Sequence, residues 1–157
     1  MSQGSPVATL VTLRRLLLGI LLFGLTGTAT ELLLMGHYED GWQLIPLIVI
    51  GLAMFTSAAM IVTGPTSLTA STRLFQWSMV LLILGAPMGG VLHYRANMEF
   101  KREMDPSLSG FALFSSVIRA KAPPSLAPGT LALLGLLGLA CGYRLDGQNP
   151  SQKLSSE

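Results

Sequence analysis

Four apolar runs constrain this chain more than anything else in it: 16–35, 44–63, 74–95 and 125–143. Crossing about 30 Å of hydrocarbon takes roughly 20 apolar residues in a helix. The first run contains one ionisable residue, Glu31. The second and fourth contain none, and the third is uncharged up to its closing His93-Tyr94-Arg95. Backbone groups in lipid must be satisfied within the segment, so each run is expected to be a helix; each is also too long for a barrel strand. Charged residues are only 11% of the 157, against about 25% in a soluble domain, and the mean hydropathy is +0.58. That balance excludes a soluble enzyme domain, a disordered chain and a basic nucleic-acid binder. Ten basic against eight acidic residues leave a net charge of +2, too little to recruit a polyanion. The lone Cys141 can form no intrachain disulfide. The expected fold is all-α: a single transmembrane domain over 1–157, with four spans packed as a bundle in the lipid bilayer.

The punctuation agrees. Tyr38, Trp42 and Tyr94 fall at one set of span ends, and Trp77 and Tyr143 at the other, as interfacial aromatics do. Pro46 is expected in the first turn of the second helix, Gly64-Pro65 at its close, and Pro87 as a kink in the third. In the connection between the third and fourth spans, Asp105-Pro106 reads as an N-cap and first helical residue. Leu108, Phe111, Phe114, Val117 and Ile118 follow at helical spacing, predicting an amphipathic interfacial helix over about 106–120 that ends before Pro123-Pro124. Arg14-Arg15 before the first span, and no Lys or Arg in 36–43, place both termini in the cytoplasm. Across all loops the positive charges tie: Arg14, Arg15, Arg73, Arg144 and Lys153 inside, Arg95, Lys101, Arg102, Arg119 and Lys121 outside. Arg14-Arg15 with the following leucines also faintly resembles a twin-arginine signal, but the apolar run outlasts a signal core, so a retained helix is expected.

An ionisable residue inside a span is costly and is by default a functional candidate. Counting back from Glu31 by helical steps gives Thr28, Gly27 and Gly24; from His93 the same count gives Gly90, Gly89, Ala86 and Gly85. Both side chains are therefore expected to turn inward at similar height near the outer rim, where they can form a hydrogen-bonded pair. With His37 and Glu99 they make a rough mirror, Glu31-x5-His37 and His93-x5-Glu99, flanked at the outer mouth by Glu39, Asp40 and Arg95. Imidazoles and carboxylates at a bundle mouth can bind a metal ion or pass protons, and His37 with His93 can in principle ligate a haem. The plainer alternative is a solvated loop beside a structural polar lock. No cofactor is specified. Gly24-x-x-x-Thr28, Gly85-x-x-x-Gly89 and Gly138-x-x-x-Gly142 are expected to let helices approach closely, within the chain or against a partner subunit or second copy. No serine or cysteine has a base beside it, so a catalytic nucleophile is not expected.

The segments 31–47 (ELLLMGHYEDGWQLIPL), 93–100 (HYRANMEF), 105–114 (DPSLSGFALF) and 127–140 (APGTLALLGLLGLA) resemble parts of a group of small bacterial four-span integral membrane proteins. The likeness covers most of the chain. It implies a bacterial inner-membrane location and carries no activity, cofactor or site residue to these positions. The expectation is a non-enzymatic accessory or scaffold subunit of a membrane complex. A small oligomeric proton-coupled transporter using Glu31, and a metal- or haem-binding membrane protein, are the alternatives.

Overall fold

The computed structural model describes residues 6–63, 70–119 and 126–143. These are all-helical: α1 (Pro6–Leu34), α2 (Gly41–Thr63), α3 (Ala70–Met104), α4 (Gly110–Ile118) and α5 (Leu126–Gly142), with no strand among the described residues. Gly64-Pro65, Pro123-Pro124 and the charged C-terminal tail lie outside them. Three helices are long and apolar enough to cross a membrane: Ala8–Leu34, Gly41–Val62 and Ala70–Met104; α5 is apolar but shorter.

Each long helix buries one narrow stripe and leaves the rest of its surface apolar and uncovered. On α1 the stripe is Leu18, Leu21, Leu25, Thr28 and Leu32; on α2 it is Ile50, Ala53, Ser57 and Met60. On α3 it is Phe75, Ser78, Met79, Leu82 and Ala86. Spacings of three and four residues put each set on one face. Around them Phe23, Phe55 and Val62 are 70–85% exposed. A helix apolar all round belongs in an apolar medium, and such a surface is foreign to water-soluble monomers.

α1 packs on α2 and α5, and α3 packs on the same two, so α1 and α3 face one another across the interior. Residue contacts fix the directions. Gly142 meets Phe75 and Gln76 while Gly89 meets Pro128, so α5 runs antiparallel to α3. Gly24 meets Leu134 and Arg14 donates to the Cys141 carbonyl, so α5 is antiparallel to α1 as well. That Arg14 bond places a cation at the carbonyl end of α5, where the helix dipole favours positive charge. Between α2 and α3, Thr56 and Ser78 share a buried hydroxyl–hydroxyl bond of 2.9 Å. Each hydroxyl also lies within bonding distance of a carbonyl on its own helix.

Several boundaries differ from the sequence expectation. α2 begins at Gly41 rather than 44, because Asp40-x-x-Gln43 forms one arm of a capping box: the Gln43 Oε1 accepts from the Asp40 and Glu39 amides, while the Gln43 amide bonds the Asp40 backbone carbonyl. Pro46 therefore sits in the second turn, where its missing N–H leaves the Trp42 carbonyl without an i+4 donor. α3 runs on to Met104, carrying Arg95, Glu99, Lys101, Arg102 and Glu103 on a continuous helix instead of a loop. Asp105 does not cap the next helix: its carboxylate accepts from the Ser107 amide (3.0 Å) and hydroxyl (2.6 Å), closing a turn, and α4 starts only at Gly110. The exposed Asp105 carboxyl is held below its ordinary range by those Ser107 bonds.

The glycine contacts divide unevenly. A Cβ at Gly138 would overlap the Met79 sulfur, and one at Gly135 would lie 2.7 Å from both the Met79 carbonyl oxygen and the Ile83 side chain. Gly24, Gly89 and Gly142 also meet neighbours, and Thr28 is buried on α1. Gly85 faces open space and makes no close approach. Gly135 was absent from the expected pairs; it falls three residues before Gly138 on the face toward α3. Because backbone cannot swing aside as a methionine side chain can, Gly135→Ala is expected to cost about 1–3 kcal/mol. Gly138→Ala is expected to cost less, and thermal unfolding of both variants in one detergent checks the order. Thr56→Val is expected to lower stability by about 1 kcal/mol, with non-additivity in the Thr56→Val/Ser78→Ala double mutant identifying the interhelical bond.

Candidate functional site: a hollow closed by two histidines

The interior is filled unevenly. Toward the start of α1 and the end of α5 it is packed by Leu18, Leu21, Phe75, Met79 and Cys141. Toward the other end, α3 supplies Gly85, Ala86, Gly89 and Gly90, and α5 supplies Ala127, Pro128 and Gly129. Side-chain volume runs out there. The result is a cavity of about 470 Å³ lined by all four long helices: Thr28 and Leu32 of α1, Trp42 to Val49 of α2, Leu81 to Ala96 of α3, and Ala127 to Leu131 of α5. Its wall is overwhelmingly apolar. Polar side chains, chiefly His37, Asp40, Gln43 and His93, gather at the end beneath the α1–α2 connection, with Thr28 deeper. The space is half-open: lining residues such as Trp42, Leu84 and Met88 are exposed at the surface of the bundle.

The backbone at the end of α1 places His37. Gly36 takes φ +69°, its amide bonds the Leu33 carbonyl (3.1 Å), and the His37 amide bonds the Leu32 carbonyl (2.9 Å). This is a Schellman ending, with a glycine in the left-handed conformation and the next residue folded back over the last turn. His37 is thereby half-buried at the cavity mouth instead of lying in the solvated loop. His93, half-buried on α3, meets it: the ring centroids are 5.9 Å apart with the planes inclined by 24°. Burial pushes the His37 imidazole below its ordinary range, and the neighbouring His93 adds to the effect.

The expected partner of His93 is elsewhere. Glu31 is exposed. It lies next in sequence to the buried Leu32, about 100° around the helix from it, so the stripe of leucines with Thr28, and not the side that carries Gly27 and Glu31, points inward. Gly27, on the face expected to pack with Glu31, meets nothing within 4 Å. No hydrogen bond or ion pair joins Glu31 to His93 among the described residues, and α1 and α3 stand on opposite sides of the interior. Nor does the mirror motif converge. Glu99 is exposed and lies about 9 Å along α3 from His93, roughly 120° around it. No three His, Cys, Asp or Glu side chains among the described residues lie close enough to share a metal ion, so Glu31, His37, His93 and Glu99 do not gather as a ligand set. Glu39 and Arg95 are exposed flanking groups, and Asp40, also exposed, contributes to the cavity wall.

Sequence reasoning missed Gln43, Trp42 and the hollow itself. The capping box Asp40-x-x-Gln43 and the helix-ending Gly36 were available signals, and together they fold the 35–40 connection over the mouth. No known family, curated protein or solved structure matches the chain.

Because His37 binds its proton less readily in the folded protein than in the unfolded chain, the unfolded chain carries more protons as pH falls through about 6.5. The His37 contribution is therefore present above that pH and lost below it. Thermal stability is expected to drop between about pH 7 and 5, and the drop is expected to shrink in His37→Phe; an equal drop in that variant would assign it to other groups.

Proposed function

We propose that this chain is a small, non-enzymatic integral membrane protein that holds a hydrophobic small molecule in the outer half of its interior, as an accessory component of a membrane complex. On this proposal it crosses the membrane four times, α5 being the short fourth span of a four-helix bundle. Seventeen residues rise about 25 Å, close to the hydrocarbon thickness. Both termini face the cytoplasm of a bacterial inner membrane. α4 lies at the outer interface, resting Leu113 and Val117 on α3 while Phe111, Phe114 and Ile118 remain uncovered for the lipid.

The observation that carries this proposal is the apolar cavity ringed by all four long helices, with its polar groups gathered at one end. Ligand sites have this form: 300–1,000 Å³, predominantly apolar, with few placed polar groups. Transport through Glu31 finds no support in the geometry, since that side chain lies off the interior face.

Protein purified from membranes in mild detergent, then extracted with organic solvent, is expected to release one apolar small molecule per chain. Gly85→Leu, which grows a side chain into open space, is expected to arrive empty at equal yield. A wild-type preparation without a stoichiometric molecule, and as stable as one that has been re-lipidated, would reject the proposal. A haem absorption band, or stoichiometric metal lost in His93→Phe, would replace it with a cofactor site.

A further inference from the structure

We infer that the occupant is an uncharged, single-chain amphiphile whose head carries carbonyl or hydroxyl oxygens, the chain lying between Gly85 and Leu131 and the head against the His37–His93 pair at the mouth. This rests on the ligand-holding role proposed above and names the class of ligand.

The wall selects the chain. Below the mouth the cavity offers aliphatic side chains, bare glycine backbone and proline rings over a volume of about 470 Å³, within the range of small-molecule sites and matched to a single apolar chain. Charge and hydrogen-bonding capacity select the head. A neutral imidazole presents one N–H donor and one acceptor nitrogen, so His37 can either donate to a carbonyl or accept from a hydroxyl. Burial and the neighbouring ring both disfavour the charged form of the His37 imidazole.

The surroundings of the pair offer an anionic head no cation to pair with. Asp40 lines the same mouth from the α1–α2 connection, with exposed Glu39 beside it, and no Lys or Arg occurs from 35 to 43. On α3, Arg95 is exposed, lies about 160° around the helix from His93 and does not line the cavity. On α1, Glu31 is exposed away from the interior, and α5 brings only Ala127, Pro128 and Leu131 to the space. A cationic head gains little. Asp40 and Glu39 are solvent-exposed, so their attraction is screened and does not repay the desolvation of a cationic head at the mouth.

The chain has two tryptophans, Trp42 at the mouth and Trp77 near the opposite end of α3. In the full chain carrying Trp77→Phe, Trp42 reports directly on the cavity. Dibrominated monoacylglycerol, dibrominated fatty acid at pH 8 and a brominated alkyltrimethylammonium are titrated separately, at low mole fraction in detergent. Saturable quenching by the monoacylglycerol is expected, about tenfold tighter than by either charged amphiphile. The saturable part is expected to vanish in Gly85→Leu, and binding of the monoacylglycerol to weaken about fivefold to tenfold in His93→Phe. Ala127→Leu applies the same block from α5 if Gly85→Leu fails to fold. Equal or tighter binding of a charged amphiphile overturns the neutral head while leaving the ligand-holding role standing. Absence of saturable quenching by all three overturns both, as does quenching that survives both blocking variants.

Discussion

The close approach of α5 to α3 is the constraint from which the rest follows. Gly135 and Gly138 let the α5 backbone settle against Met79 and Ile83, and that contact draws α5 into the space beside α3. In lipid there is no hydrophobic force pressing helices together, so contact at this range, where dispersion is strongest, is a principal source of association. With α5 and α2 both against α3, and both against α1, the α1 and α3 helices stand across the interior from one another. Whatever fills the distance between them has to come from side chains. Near the Cys141 end Leu18, Leu21, Phe75 and Met79 suffice; near the His93 end glycine, alanine and proline do not.

The hollow thus has the same origin as the tight packing. Small residues placed where two backbones touch give contact; small residues placed where no backbone arrives give empty space. Gly89 touches Pro128 while Gly85, one turn earlier, touches nothing. The polar lid depends on a separate device, the left-handed Gly36 that turns the chain back after α1, followed by the capping box that restarts it as α2. Between them, these local motifs carry His37 to His93 without any long-range ion pair.

Much of the fold was legible. Lipid tolerates only long apolar helices, so the approximate positions of three membrane-length helices could be read from the apolar runs, although α1 and α3 both extend well beyond them and α5 is shorter; the amphipathic pattern around Phe111 and Val117 announced α4. Boundaries were less legible because they rest on single hydrogen bonds: Gln43 to the Asp40 amide extends α2, and Ser107 to Asp105 diverts the proline turn away from α4. Of the candidate site, His37 and His93 were visible as residues but assigned to the wrong company. Glu31 was drawn inward by its small-residue neighbours, whereas leucines 18, 21, 25 and 32 set the buried face.

By itself the sequence determined a helical membrane protein and the end of it where polar chemistry gathers, because hydropathy and helical repeat are local quantities carried by consecutive residues. Only the tertiary structure decided that α1 and α3 lie across from each other, that the two histidines pair while Glu31 faces outward, and that a cavity lies beneath them. Those depend on which of several apolar faces wins the interior. That competition is settled by how closely whole helices can pack together and cannot be read along any one of them.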